Sequence, residues 1–168
     1  MPGGDVRVES IAAGDWQLAR KLRLASLLDA PDAFCARHAD EADEPDAMWQ
    51  RRTESNALQQ DTAGFFAYID DEALGLAVCV RQPGEVELNA VWVDPRARGR
   101  GVGRALVAAA QRWARGLSAQ RMTLGVNADN AVAIGLYTDC GFTQGARSAM
   151  PGRPEITLIH MECGLGPP

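Results

Sequence analysis

Apolar and polar residues alternate from Asp5 to Ile11 (DVRVESI), the period of a half-buried strand. Gly14-Asp15 then opens a run in which Leu18, Leu22, Ala25 and Leu28 recur at helical spacing. Asp15 is the expected N-cap of this first helix, and Pro31 ends it, because a residue before proline is pushed out of the helical region. From Asp32 to Gln59 the chain is polar and acidic, with two short helical patterns split by Pro45 and anchored by Phe34, Met48 and Trp49. Three apolar stretches follow, Gly64 to Ile69, Ala73 to Arg81 and Glu85 to Val93, separated by Asp70-Asp71 and Pro83-Gly84. Those pairs suit tight turns, so the stretches read as consecutive antiparallel strands.

Helical spacing returns at Val102, Ala105, Leu106, Ala109, Ala110 and Trp113, predicting a helix over 102–115. Arg121 to Val126 reads as a strand, and a helix from about Asn130 to Asp139 ends at Cys140-Gly141. Phe142 to about Ala146 and Ile156 to Met161 read as closing strands, joined by a loop from Pro151 to Pro154. Strands 85–93 and 121–126 are connected through a helix and should run parallel in a sheet that is otherwise largely antiparallel. The fold class is therefore α+β: a mixed sheet of about 6–7 strands with about four flanking helices. No repeat or long linker divides the chain, so residues 1–168 form one expected domain, ordered from about 5 to 163, with the tail GLGPP (164–168) disordered.

The 168 residues are 46% hydrophobic and 23% charged, with a net charge of −5. That composition is ordinarily globular and lacks the basic footprint of a nucleic-acid binder. Cys35, Cys79, Cys140 and Cys163 are scattered, and neither a signal peptide nor a long apolar run is present. Reduced thiols in the cytoplasm, with no membrane partner, are the expectation. Cys35-X-X-His38 has no second half, so no metal site is expected. No Gly-X-Ser-X-Gly elbow is present for a serine hydrolase.

The candidate chemistry begins at Val91–Gly103 (VWVDPRARGRGVG), where an apolar strand meets a glycine-rich bend and then a helix. Helix-start amides have no intrahelical partner and sit at the positive end of the macrodipole, which makes an anion site. The bend reads Arg98-X-X-Gly101-X-Gly103, whose glycines bring the backbone close to a phosphate, and Arg98, Arg100 and Arg104 add positive charge. A Walker loop would need Gly-Lys-Ser/Thr, whereas Val102 and Arg104 follow the glycines here. A dinucleotide fingerprint fails at its third glycine, which would fall on Arg104. A plain strand-to-helix connection with solvated arginines is the other reading of the same residues.

A second constellation runs Asn127, Asn130, Ala133, Leu136, Tyr137, Gly141, Phe142. Ala133, Leu136, Tyr137 and Cys140 share one helical face, which puts Tyr137 toward the core or a cleft. Asn130 also suits an N-cap, and Tyr137 a core tyrosine.

Together the two segments resemble the GNAT superfamily of acyl-CoA-dependent N-acetyltransferases. The likeness is close over residues 85–142, and the Leu22-Arg23-Leu24 to Asp32-Ala33-Phe34 stretch is similar to one in bacterial members. The resemblance implies a GNAT-like sheet with a splayed parallel strand pair, and acetyl-CoA as cosubstrate. It implies that backbone amides of the loop Arg98, Gly99, Arg100, Gly101, Val102, Gly103 and Arg104 hold the pyrophosphate. Main-chain groups of Val91, Trp92 and Val93 would pair with the pantetheine arm like an added strand. Asn130 would bond the same arm, and Tyr137 would place its hydroxyl by the thioester sulfur as general acid.

Acetyl transfer to an amine also needs a base, because an alkyl ammonium has a reference pKa near ~10.4 and stays protonated at neutral pH. Glu87, on the strand leading to Val91, is the first choice and Glu85 the second; an ordinary exposed strand glutamate is the competing reading. A backbone N–H near Val91 or Trp92 would serve the oxyanion. Cys79 and Cys140 could suggest an acyl-enzyme, but neither has a histidine nearby in sequence, which favours direct attack in a ternary complex. The acceptor, a primary amine of a small molecule or peptide, is expected between residues 29–57 and the loop 147–154. Asp40, Glu41, Asp43 and Glu44 there suit a cation. Homodimers occur among GNAT proteins and are a possible state. Two alternatives stay open: a non-catalytic acyl-CoA-sensing module of the same fold, and O-acetylation, which needs a stronger base.

Overall fold

Alternation of apolar residues on short strands, interrupted by one strongly amphipathic helix, builds a sheet with a helical layer on each face. The structure, a computed structural model, describes residues 4–167. In chain order the elements are β1 (Val6–Ser10), α1 (Trp16–Asp29), α2 (His38–Ala42), α3 (Asp46–Leu58), β2 (Thr62–Ile69), β3 (Glu72–Gln82), β4 (Glu85–Val93), α4 (Val102–Gly116), β5 (Arg121–Asn127), α5 (Ala131–Asp139), β6 (Thr143–Met150) and β7 (Arg153–Gly164). The seven strands form one sheet in the order β1-β2-β3-β4-β5-β7-β6, and β4–β5 is its parallel pair.

One face of the sheet lies under α4. Val102, Leu106, Val107, Ala110 and Ala114 are fully buried there against Ala77, Val86, Met122 and Leu124. Burying a leucine such as Leu106 completely stabilises the fold by about 2 kcal/mol. Helix and sheet approach so closely that a Cβ on Gly75 would lie 2.9 Å from the Val102 side chain. The other face lies under α1, where Leu22, Leu27 and Phe34 pack on Phe66, Leu76, Ala90 and Trp92.

β4 changes face part-way along. Leu88 opposes Cys79 and Ala90 opposes Val78, which leaves Asn89 as the extra residue of a bulge. Before it, Val86 and Leu88 point to the α4 face; after it, Ala90 and Trp92 point to the α1 face. The bulge thereby brings Glu87 and Trp92 to the same side of the sheet.

The structure departs from the sequence expectations in three places. Asp15 does not cap α1; its carboxylate accepts the Ala12 N–H at 2.8 Å, closing the preceding turn. β6 and β7 are longer than expected and meet in a tight turn at Pro151-Gly152, because their backbones pair even where the side chains show no apolar alternation. The tail is not disordered from residue 164. Gly164 ends β7, and Leu165 is buried, its N–H donating to the Gln120 carbonyl at 2.9 Å. Pro168 lies outside the described residues.

Candidate active site

β4 and β5 pair over only three positions, Glu85–Arg121, Val86–Met122 and Glu87–Thr123. Beyond them β4 stays with β3 as far as Val93 and β5 with β7 as far as Asn127. The parallel strands therefore separate toward their C-terminal ends, leaving a slot lined by an unpaired edge of each. The Asp94 N–H donates to Leu74 on the β3 side, at 2.9 Å. Main-chain groups alternate in direction along a strand, so Val91 and Val93 face the slot and Trp92 faces β3. Trp92 is thus not directed toward an occupant of the slot. Its indole instead donates to Asp29 at 2.9 Å.

At the open end of the slot the chain turns through Pro95–Ala97 into α4. Gly99 and Gly101 have φ of +76° and +82°, a region that disfavours any residue with a Cβ. Gly101 is the N-cap of the 15-residue α4, and no side chain caps the first amides. A Cβ at Gly103 would come 2.9 Å from Leu136 of α5, so glycine there lets the two helices close beside the bend. These features fit a pyrophosphate. Open amides converge at a helix start, no side chain fills the space beside Gly99 or Gly101, and the slot edge can pair with a pantetheine arm.

The arginines of the bend differ in their engagements. Arg98 is not free for a phosphate: its guanidinium binds the Asp29 carboxylate, and its Nε donates to the Val93 carbonyl at 3.1 Å. Arg104 reaches Asp139 at 3.4 Å on an exposed surface. Arg100 is exposed and has no carboxylate partner among the described residues. Asn130 caps α5, its Oδ1 accepting the Ala133 N–H at 3.1 Å, which leaves its side-chain amide for another partner.

Tyr137 is buried on the α4 face, its ring edge-on to Phe142 with centroids 5.8 Å apart. Burial raises its pKa above the ordinary tyrosine value, with Cys140 adding to the shift. No hydrogen bond among the described residues engages its hydroxyl. Glu87 is on the opposite face and lines a groove of about 1290 Å³, together with Glu85 and Asn89. The slot is the opening between these faces, so the sequence-predicted acid and base lie on its two sides.

Glu85 and Glu87 are not equivalent. Glu85 is held by Arg121 at 2.7 Å, whereas Glu87 has no ion pair among the described residues. The groove is walled by α1–α3 through Arg23, Glu41 and Trp49, and by the β6–β7 hairpin through Ser148, Met150 and His160. Of the acidic residues expected to attract a cation, only Glu41 lines it, and Arg23 holds that carboxylate through two bonds of 3.0 Å. Glu44 is drawn to Arg52 at 3.5 Å.

Several site residues escaped the sequence reading. Asp29 meets Arg98 from 69 positions away. Ser148 and His160 pair at 2.6 Å across the hairpin, and Trp49 Nε1 is buried at the groove without an acceptor. No local motif announces any of them. Burial pushes the Cys79 thiol up to about 12 and raises Cys140 and Cys163, so none is poised as a thiolate nucleophile. Among the described residues no three His, Cys, Asp or Glu side chains gather as a metal site, and no helix is long and apolar enough to cross a membrane.

The GNAT acetyltransferase family model matches residues 24–142, from the second half of α1 through α5, and includes both strands of the slot. The chain belongs to the GNAT acetyltransferase family. It is an acyltransferase, and acetyl-CoA is the donor that this GNAT family uses. It is 27% identical to streptothricin acetyltransferase of Escherichia coli over 144 residues, 73% of this chain and 78% of that one. It is 37% identical to mycothiol acetyltransferase of Mycobacterium avium (strain 104) over 137 residues, 71% of this chain and 42% of that one. The chain thus spans under half the length of that mycothiol enzyme. Among solved structures, the Salmonella typhimurium protein yncA, solved with its cofactor acetyl-CoA, shares the GNAT fold. Its TM-score is 0.80 at 20% identity, over 96% of this chain and 95% of that one.

Proposed function

We propose that this GNAT protein is an N-acetyltransferase that moves the acetyl group of acetyl-CoA to a primary amine by direct attack in a ternary complex. The observation that carries the reading is Glu87, an unpaired carboxylate in the acceptor groove at the last rung before β4 and β5 part. Acetyl-CoA, when bound, supplies an activated thioester carbonyl.

The remaining work falls to the chain. Glu87, directly or through one water, takes a proton from the ammonium form of the acceptor, a role worth roughly 10²–10⁴ in rate. The Val91 N–H, which strand parity turns toward the slot, serves the oxyanion in this reading, and the Trp92 N–H, turned toward β3, does not. Tyr137 retains its proton because burial raises its pKa, so it serves as a hydrogen-bond donor and acid toward the departing sulfur. The open amides at Gly101–Arg104, with Arg100 beside them, hold the pyrophosphate, and the Asn130 side-chain amide bonds the pantetheine arm. Holding both substrates across one slot supplies much of the remaining acceleration.

The acceptor lies in the groove between α3 and the β6–β7 hairpin. Its cationic amine is drawn to Glu87, since the residues 40–44 are largely neutralised or outside the groove. Calorimetry with acetyl-CoA tests the donor site: the wild type binds, and Gly101→Glu, which puts a side chain and a negative charge where φ is +82°, abolishes binding. Thiol release with streptothricin, polyamines, amino acids and peptides then tests the acceptor. Absence of acetyl-CoA binding by the wild type overturns the reading, and release with hydroxyl acceptors alone replaces the amine.

A further inference from the structure

The end of α1 lies across the mouth of the slot on the groove side. Asp29 holds the β4 bank, accepting from the Trp92 indole at 2.9 Å and pairing with Arg98. Three residues later the same turn holds the other bank. The Asp32 carbonyl accepts from Asn127 at the end of β5 at 3.1 Å. The Asp32 carboxylate and Pro31 carbonyl both bind Arg153 at the start of β7, the former at 2.7 Å. Residues 29 and 32 are at most about 11 Å apart even in an extended chain. Here they are shorter and stiffer, because Pro31–Ala33 forms a single 3-10 turn that begins on proline.

Resting on the donor-site reading above, we propose that Asp29 and Arg153 are positioning residues whose contacts make the 29–32 turn a rigid spacer fixing the width of the acyl-CoA slot. The geometry demands some such device. Strands joined by hydrogen bonds keep a spacing near ~4.8 Å by themselves, but β4 and β5 have surrendered those bonds past Glu87. A slot whose edges must meet a pantetheine arm at hydrogen-bond distance cannot drift by an ångström without losing the match. Arg98 reinforces the spacer from below. By bonding both Asp29 and the Val93 carbonyl, it ties the phosphate bend, the strand edge and the turn to one another. Arg153 is only 15% exposed although it follows an exposed hairpin turn, which marks it as seated rather than solvated.

The test is CoA affinity by calorimetry, with hydrogen exchange at the amides of Val91 and Val93 in the CoA-saturated protein as a readout independent of turnover. Arg153→Ala and Asp29→Asn each weaken CoA binding by about tenfold and speed exchange at those amides. In steady state the loss falls on KM for acetyl-CoA rather than on kcat, and Arg153→Lys, which keeps the charge, lies between Arg153→Ala and the wild type. Arg7→Ala, which breaks an exposed pair on β1, leaves affinity where it was. Wild-type affinity and exchange in both Arg153→Ala and Asp29→Asn overturn the spacer, while the loss of binding in Gly101→Glu keeps the donor-site reading standing. Failure of the wild type to bind CoA overturns both.

Discussion

The two faces of the sheet use the same strands for opposite ends. Under α4 a continuous buried stripe runs from Val102 to Ala114, and a Cβ at Gly75 or Gly103 would come within 2.9 Å of Val102 or Leu136. Under α1 to α3 the packed cluster is smaller, and the strands beyond it form the floor of an open groove. In the proposed function, the filled face carries the backbone amides and buried tyrosine of the donor site, and the open face the side chains of the acceptor groove. Rigid packing would then accompany the donor half of the reaction, and open surface the acceptor half.

That contrast can be broken from either side. Glu87→Gln, on the open face, lowers kcat with the best amine by about 10²–10⁴, with acetyl-CoA affinity by calorimetry unchanged. A matching loss of donor affinity would merge the two faces into one site. Leu106→Ala, in the filled face, destabilises the fold by roughly 2–5 kcal/mol in urea denaturation. A cost below ~1 kcal/mol would mean that this face is not close-packed. Tyr137→Phe gives the smallest effect, about tenfold in kcat, and its pH dependence sharpens the assignment. Because burial raises the Tyr137 pKa, the hydroxyl stays protonated up to at least its ordinary value near ~10. The variant therefore lowers the height of the pH profile without shifting limbs below that pH, and a displaced alkaline limb would show that Tyr137 titrates within the assay range.

The glycine bend and the start of α4 were legible in the sequence because their needs are local. Gly99 and Gly101 at positive φ and the start of α4 fall within a few residues of one another, whereas Tyr137 belongs to a second local pattern, the α5 helical face that follows Asn130. The bulge was not legible. Val86, Leu88, Ala90 and Trp92 alternate without a break and are all buried, so the pattern looks like one face of one strand. Both faces are covered there, and a one-residue change of face leaves no trace in hydrophobicity. β6 reads shorter in the sequence for the opposite reason: Thr143–Ala149 are exposed, so backbone pairing defines the strand and side-chain alternation does not. Asp29, Asp32 and Arg153 are ordinary charged residues in the sequence, and only the topology brings them to the slot.

The three rungs that join β4 to β5 also divide the chain as a folding object. β1 comes from the N-terminal end, but β2, β3 and β4 are hairpin neighbours, and β6 and β7 form another. Such local pairings close with little loop entropy, whereas the parallel seam must wait for the crossover through α4. The slot is therefore the suture between two locally assembled pieces. Its parted edges lie where the two pieces meet.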